Sequence, residues 1–258
     1  MLFGVPRSEL LSEALAAPRS GLVLMPDTQV ILRPGWFQII TPSFTRGGMN
    51  EVSCQLLPEG AEGEARIDET IAAYRRLGLR FRWTVCPGDS PPDLGEKLAR
   101  RGLTRTESFV LARPTSDVPE AEQSAITVIE ADLAHIDEYS RVTAQGWAMP
   151  EGPFAELNRR ALEESGRYHF FLARKGGVPV AGAACLMLDR SAYLLSGVVL
   201  PEHRGQGLYR ALVHARLRSA AARGLPYATT RAMAETSAPI LWRLGFETVC
   251  AVETYTDG

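Results

Sequence analysis

Two segments of this chain share the same order of residues and predicted elements at a constant offset. LLPEG at 56–60 is followed by a helix, a strand, a helix and a strand, and VLPEH at 199–203 is followed by the same series. Pro201 lies 143 residues after Pro58. The pattern indicates an internal duplication of a mixed α/β unit, with a chance likeness of two α/β halves as the alternative.

Hydrophobic periodicity predicts the individual elements. Leu208, Ala211 and Leu212 follow helical spacing, and LysGlyGly at 175–177 is typical of a hairpin turn. A short amphipathic helix is predicted near Ser8. The other predicted helices are 67–78, 91–103, 133–147, 154–166, 207–224 and 236–246, and the strands are 80–85, 107–112, 126–131, two within 168–188, 191–200, 227–233 and 248–256.

The stretch ARPTSDVPEAEQS at 112–124 has the composition of a linker, since it is rich in Pro, Ser and acidic residues. It divides the chain into a first segment, 1–111, and a second segment, 125–258. Each segment contains one copy of the repeated α/β unit.

Composition limits the classes of function. Of 258 residues, 45% are hydrophobic, and the formal net charge is −2. This balance is typical of a globular protein, and it does not indicate the basic surface that nucleic-acid-binding proteins usually have. Glu9 and Glu13 interrupt the short apolar runs of the N-terminal segment, which therefore predicts neither a signal peptide nor a membrane span. We expect a cytoplasmic protein with no nucleic-acid or membrane partner.

The four cysteines and four histidines show no metal-ligand spacing. We therefore expect no bound metal, and we expect the cysteines to be free thiols in a reducing compartment.

A glycine-rich turn stands where a predicted strand meets a predicted helix. Arg204, Gly205, Gln206 and Gly207 precede the helix that opens with Leu208, Tyr209 and Arg210. The first N–H groups of a helix lack partners and carry partial positive charge, and glycines let the backbone approach an anion. The residues after the glycines fit neither a Walker loop nor a dinucleotide fingerprint. The alternative is a turn that merely starts a helix.

The pattern Arg-x-x-Gly-x-Gly after apolar-x-Pro-Glu resembles the acyl-CoA signature of the GNAT N-acetyltransferases. The order of elements over 125–258 is also similar to that family, and TSAPILWRLGFE at 236–247 resembles its later helix ending in Leu-Gly-Phe. The resemblance implies a tandem arrangement of two GNAT-like domains, each a central, mostly antiparallel sheet flanked by helices.

The resemblance also implies how acetyl-CoA binds as cosubstrate. The pyrophosphate would lie against the turn at 204–210, and the pantetheine arm would pair with Val198, Val199 and Leu200 where the next strand splays away. The backbone N–H of Val199 would then polarise the thioester carbonyl.

The usual acid of the family is missing. The tyrosine that protonates the thiolate falls on Leu241, and the family's common asparagine falls on Ala234. Tyr193, Tyr209, Glu235 and His169 are the substitutes to weigh, each with a structural role as the alternative. Among bases, Glu235 and His169 stand first.

An apolar wall for the acceptor is expected from 143–156 with the strand at 227–233. Its side chains would be Trp147, Met149 and Phe154, for which core packing is the alternative.

The first segment resembles a degenerate copy. It continues AEGEARID after LLPEG, with no arginine and glycine cradle, and Glu62 and Glu64 would repel a pyrophosphate. The hypothesis from the whole chain is acetyl transfer from acetyl-CoA to a primary amine of a small molecule or peptide. The alternative is a non-catalytic acyl-CoA-binding regulatory or sensor protein. Either would be a monomer or a homodimer.

Overall fold

The computed structural model describes residues 1–45, 48–120 and 125–257. Gly47 and the last four residues of the predicted linker, 121–124, lie outside the described residues. The helices are α1 (Arg7–Ser20), α2 (Gly60–Arg76), α3 (Leu94–Arg100), α4 (Ile136–Trp147), α5 (Glu151–Glu164), α6 (Leu208–Ala222) and α7 (Ser237–Arg243). The strands are β1 (Gln29–Arg33), β2 (Trp36–Ile40), β3 (Glu51–Cys54), β4 (Arg82–Val85), β5 (Thr104–Pro114), β6 (Ile126–Ala131), β7 (Tyr168–Lys175), β8 (Val178–Met187), β9 (Ser191–Val199), β10 (Tyr227–Met233) and β11 (Glu247–Thr256).

The predicted fold class, α/β with mostly antiparallel strands flanked by helices, is confirmed. Strand β6 and strand β10 have the predicted bounds. Strands β1, β2 and β3 are not among the predicted strands, so sequence reasoning missed them. Among the predicted helices, the largest difference is α2, which begins at Gly60 rather than at Ile67. None of the helices in the described ranges is long and apolar enough to cross a lipid bilayer.

The chain forms two compact units. The larger unit comprises Met1–Val23 and Val110–Val249, and the smaller unit comprises Leu24–Phe109 and Cys250–Gly258. These units follow a partition different from the predicted segments 1–111 and 125–258, which stay a prediction about the repeated sequence.

The N-terminal helix belongs to the larger unit although it opens the first sequence segment. The carboxylate of Glu13 accepts hydrogen bonds from Ser191 and from the Tyr227 hydroxyl, the latter at 2.9 Å. The Tyr168 hydroxyl donates to the Gly21 carbonyl at 2.7 Å, just after α1. These contacts join positions far apart in sequence, so the pattern of α1 alone does not reveal where the helix packs.

The sheet of the larger unit has the strand order β10-β9-β8-β7-β6. Strands β9 and β10 are parallel, whereas the other neighbours are antiparallel. Helices α4 and α5 cover a core that includes Ile136, Tyr139, Phe170 and Leu172. Because α6 connects β9 to its parallel neighbour β10, the N-terminus of α6 lies at the carboxyl end of β9.

The smaller unit repeats the strand–helix–strand arrangement. Its strands run in the order β1-β2-β3-β4-β11, and β3 and β4 are parallel with α2 between them in sequence. Trp36 and Trp83 pack edge to face with ring centroids 5.5 Å apart, and Tyr74 stacks on Phe81 at 4.3 Å. The shared parallel connection, β3-α2-β4 and β9-α6-β10, supports the internal duplication.

Candidate functional site

Eight residues, 200–207, separate the end of β9 from α6. After β9 the chain forms a short 3-10 helix, Pro201–His203, and then passes through Arg204–Gly207 into α6. Gly205 and Gly207 have φ of +74° and +86°, the left-handed region that favours glycine. A Cβ atom on Gly205 would have no heavy atom within 4 Å, so the space beside this backbone is open.

The first backbone N–H groups of α6 have no partner within the helix. The first recorded α6 bond runs from the Ala211 N–H to the Gly207 carbonyl at 3.0 Å. The N–H groups of Leu208, Tyr209 and Arg210 precede it, and the N-cap residue Gly207 supplies no side-chain cap. The N-terminus of α6 is therefore available to an anion, as the sequence predicts.

Three cationic side chains surround the turn. Arg204 donates from Nε to the Val199 carbonyl at 3.2 Å, and Lys175 donates from Nζ to Oε1 of Gln206. The Arg210 guanidinium lies 3.9 Å from the position of a Cβ on Gly207. Within the described ranges, no carboxylate lies within 4.0 Å of Arg204, Arg210 or Lys175. The turn therefore carries uncompensated positive charge.

Strands β9 and β10 part beside this turn. Their parallel pairing runs from Ser191 with Tyr227 to Leu194 with Thr230. At the last pair, the Thr230 hydroxyl donates to the Leu194 carbonyl at 2.8 Å. Strand β9 continues to Val199 without a recorded partner on that side, which leaves an open strand edge.

A β-bulge in β9 follows the point of divergence. The register with β8 shifts by one residue between Gly182 and Ala184, and Ser196 has a φ of +52°. The Leu200 N–H donates to the Val180 carbonyl at 3.0 Å. Since backbone directions alternate along a strand, the N–H of Val199 points away from β8, toward the open edge.

Tyr209 packs against the bulge rather than crowding the turn. Its Cε2 atom lies 3.0 Å from the position of a Cβ on Gly197, so a larger residue there would make a tight contact with the Tyr209 ring. The buried Arg216 guanidinium hydrogen-bonds to Tyr209 and donates to the carbonyls of Ala184 and Leu195 at 3.3 and 3.4 Å. Burial lowers the pKa of Arg216. These contacts hold the bulge and the first turn of α6 together.

The residues predicted for acyl-CoA binding lie together in the larger unit. Val198 and Val199 form the buried end of β9, and the buried Leu200 comes next. The residues at 204–210 follow after the short 3-10 helix. Of the predicted catalytic residues, the backbone of Val199 lies at the open edge. Whether these residues bind or react stays a prediction.

Tyr193 and Glu235 lie at different ends of the diverging strands. Tyr193 is 9% exposed and pairs with Thr229, on the part of β9 where β10 is still bonded. It lies roughly 20 Å along the strand from Val199. Glu235 is exposed between β10 and α7, just before the helix rather than in it. Leu241, at the position of the usual acid, is buried.

His169 takes part in an ion-pair network. Its Nδ1 atom lies 2.6 Å from Glu130, which also accepts from Ser219 at 3.0 Å and from Arg223 at 2.9 Å. Burial opposes ionisation of Glu130, but these hydrogen bonds and the Arg223 charge lower its pKa overall. The network gives His169 a structural partner.

The predicted acceptor wall lies where α4 passes into α5. Trp147 is 48% exposed at the end of α4, and Met149 and Phe154 are partly exposed. A wide apolar surface is therefore present there.

In the smaller unit, a helix stands at the position that corresponds to the turn. Helix α2 starts at Gly60, directly after Pro58 and Glu59, so Glu62 and Glu64 lie in its first turns. Glu64 pairs with Arg101 at 2.7 Å and with Lys97 at 3.3 Å. No extended glycine-rich backbone remains at this position of the repeat.

Sequence reasoning missed three residues of the site: Lys175, Thr230 and Arg216. LysGlyGly at 175–177 indicated only a hairpin, and nothing local places that hairpin beside the turn. An isolated glycine in an apolar strand, Gly197, was the available signal for the bulge. Among the described residues, no group of three or more His, Cys, Asp or Glu side chains is arranged to hold a metal ion.

Solved structures with this fold cover almost the whole chain. A GCN5-related N-acetyltransferase from Kribbella flavida matches with a TM-score of 0.66 at 18% identity, over 99% of this chain and 96% of its own. One from Sphaerobacter thermophilus matches with a TM-score of 0.61 at 14% identity, over 98% and 93%. A tandem GNAT protein from the clavulanic acid biosynthesis pathway matches with a TM-score of 0.60 at 16% identity, over 96% and 93%. The class of fold is therefore the GNAT fold.

The sequence also matches a family model. Residues 136–246 match the model described as Acetyltransferase (GNAT) family, and this range includes the turn and the open strand edge. No curated protein gives a match to the chain.

Proposed function

We propose that the larger unit binds acetyl-CoA and transfers its acetyl group to a primary amine of a small molecule or peptide. The observation that carries the proposal is the turn at 204–210, with open N–H donors and three unpaired cations, beside the open edge of β9. A GNAT-family domain supports acetyl transfer in general.

Each part of acetyl-CoA has a matching feature. The pyrophosphate suits the N-terminus of α6 and Arg204, since charge-assisted hydrogen bonds to a phosphate are stronger than neutral ones. The amide groups of the pantetheine arm suit the unpaired edge of β9 around Val199, where they replace the missing strand.

The proposed reaction is a direct transfer. The amine nitrogen attacks the thioester carbonyl carbon, the new C–N bond forms, and the C–S bond breaks. The attacking amine gives one proton to a base or to water, and the leaving CoA thiolate takes one up. An N–H donor at the open edge, such as that of Val199, stabilises the negative charge that develops on the carbonyl oxygen.

The position at which the family usually has its acid is occupied by Leu241, which is buried and has no proton to donate. Glu235 is the proposed base. Tyr193 lies roughly 20 Å along β9 from Val199, too far to protonate a thiolate that leaves at that edge, so water is the proposed proton donor. Glu235→Gln removes the basic carboxylate and Tyr193→Phe removes the phenol hydroxyl, each with little change of shape. We expect a lower kcat with unchanged acetyl-CoA affinity for whichever residue takes part.

Isothermal titration of the whole chain with acetyl-CoA tests the binding step. The proposal predicts one site per chain, and a flat titration contradicts it. Release of free thiol across a panel of small amines and peptides tests the transfer step, with acetyl-CoA alone as the control for hydrolysis.

A second function is favoured by the residues at positions 234 and 241. Because Ala234 and Leu241 replace the family's polar pair, the larger unit is suited to binding acyl-CoA without turnover, as a sensor or regulatory module. Tight acetyl-CoA binding without thiol release for any amine supports this alternative. Steady thiol release with one amine excludes it.

A further inference from the structure

The smaller unit contains a cavity of about 410 Å³ beside the start of α2. Its walls come from the β1–β2 turn, from the chain that follows β3 and from α2 itself. This volume lies in the range of small-molecule sites. The turn and strand edge described above belong to the other unit, so the cavity is a separate feature.

One side of the cavity is apolar. Trp36 and Leu57 are buried, and Pro34 and Pro58 line the space with them. Leu56 is 62% exposed at the same cavity. Covering this surface with an apolar group would stabilise the complex by about 25 cal/mol for each Å² of apolar surface removed from water.

The lining also includes the arginine Arg66. Arg66 is 29% exposed, and its recorded ion pair is a long one of 3.9 Å to Glu62, which is itself 70% exposed. Such a pair contributes little. Burial raises the pKa of the nearby Cys54 thiol to about 11, and the Asp89 charge adds to that rise while the Arg66 charge opposes it.

The balance of charge at the cavity favours an anion. Arg33 stands with Arg66 among the lining residues, and Glu59 is the one carboxylate that the described lining contains. Arg33 is exposed at the end of β1, whereas Arg66 is half-buried on α2.

The walls are held by backbone contacts. The Leu57 N–H donates to the Ser90 carbonyl at 2.9 Å, and the Gln55 N–H donates to the Gly35 carbonyl at 2.8 Å. Gly35 has a φ of +68°, and a Cβ there would lie 2.9 Å from the Leu56 Cβ. These contacts fix the walls of the cavity, which lowers the entropic cost of binding.

We propose that this cavity is a second binding site, which takes a small amphipathic anion with an apolar body and one terminal carboxylate, sulfonate or phosphate. The apolar body lies against Trp36 and Leu56, and the anionic group pairs with Arg66. The site does not depend on acyl-CoA binding or acetyl transfer by the larger unit.

Two fluorescent probes with one carbon skeleton test the site. Anilinonaphthalene sulfonate carries an anionic group, and phenylnaphthylamine is its uncharged counterpart. The full chain is titrated with each probe. Since hydrogen bonds to charged groups contribute about 1.5–3 kcal/mol, Arg66→Gln is expected to weaken sulfonate binding by roughly tenfold or more. The uncharged probe should change by less than about twofold.

Matched variants locate the probe. Arg80→Gln removes an exposed arginine of the same unit outside the cavity, and Arg204→Gln removes the one at the turn of the larger unit. Neither is expected to change sulfonate binding, whereas Leu56→Ser should weaken both probes. Equal sulfonate affinity in wild type and Arg66→Gln overturns the proposal, as does loss on Arg204→Gln alone.

Folding of each variant is checked by thermal unfolding. Arg33→Gln, at the exposed rim, gives a second reading if Arg66→Gln does not fold, and it should also weaken the sulfonate but not the uncharged probe. If the chain binds the sulfonate probe at this cavity but does not bind acetyl-CoA, the result supports this site and contradicts the proposed function. The reverse result contradicts this site alone.

Discussion

The Nε atom of Arg204 donates a hydrogen bond to the carbonyl oxygen of Val199 at 3.2 Å. This bond ties the first residue of the glycine-rich turn to the last residue of β9. It places the guanidinium on the open side of the strand, since the Val199 backbone points away from β8. One residue thus connects the two features on which the proposed acyl-CoA site rests.

Arg204→Glu is expected to abolish acetyl-CoA binding while the fold stays intact. The substitution replaces a phosphate partner with a carboxylate that repels the pyrophosphate. Isothermal titration measures the affinity, and circular dichroism measures the fold. Arg243→Glu, an exposed arginine on α7, is the matched control and should keep wild-type affinity. Undiminished binding by Arg204→Glu would contradict the placement of the phosphates.

Lys175→Gln is expected to weaken acetyl-CoA binding by several-fold to about tenfold, because it removes one of three unpaired cations at the turn. Dephospho-acetyl-CoA lacks the phosphate on the ribose. It therefore distinguishes contact of Lys175 with that phosphate from contact with the pyrophosphate. A smaller loss with the dephospho ligand places Lys175 at the ribose phosphate, and an equal loss places it at the pyrophosphate. No loss with either ligand would remove Lys175 from the site.

Gly207→Ala should destabilise the larger unit by roughly 1–2 kcal/mol, since an alanine at a φ of +86° adopts the left-handed conformation at that cost. Its acetyl-CoA affinity should also fall, because the same residue sets the direction of the α6 N–H groups. Denaturant unfolding measures the first effect and titration the second. Gly152→Ala on α5, which has open space around it, should leave the affinity unchanged and stabilise slightly.

The ion pairs of Arg101 predict a pH dependence for the smaller unit. Hydrogen bonds from Arg101 lower the pKa of both Glu64 and Asp68. A carboxylate with a lowered folded-state pKa stabilises the protein above its unfolded pKa near 4, and that contribution is lost as the pH falls. Arg101→Gln should therefore have a lower free energy of unfolding than wild type at neutral pH. The difference between the two proteins should be smaller near about pH 3, where the carboxylates are protonated. Urea titrations at the two pH values measure this, and a constant difference would contradict it.

Most elements could be predicted from the sequence because their patterns are local. Strand β10 and helix α6 each have the periodicity of one face buried against a core, and Gly207 supplies the start of α6. The early start of α2 was missed, since AEGEARID has no strong apolar periodicity. Gly63 explains why the helix fits there, because its backbone lies against the Pro58 carbonyl, where a Cβ would come within 1.9 Å.

The bulge and the charge around the turn were harder to predict. Ser196 and Gly197 interrupt an apolar strand, but the sequence does not show which strand opposes them or that Tyr209 covers Gly197. Lys175 reaches Gln206 across 31 residues of chain, a contact that depends on the pairing of β7 with β8. Such contacts follow from register, which no local pattern determines here.

The sequence by itself determined the glycine-rich turn before α6 and the resemblance to GNAT proteins. N–H donors belong to the backbone, so glycines at 205 and 207 before a helix are enough to present them. Only the tertiary structure decided where β10 leaves β9, which cations surround the turn, and that α1 packs on the larger unit. Those properties come from long-range pairing and burial, whose free energy depends on residues distant in the chain.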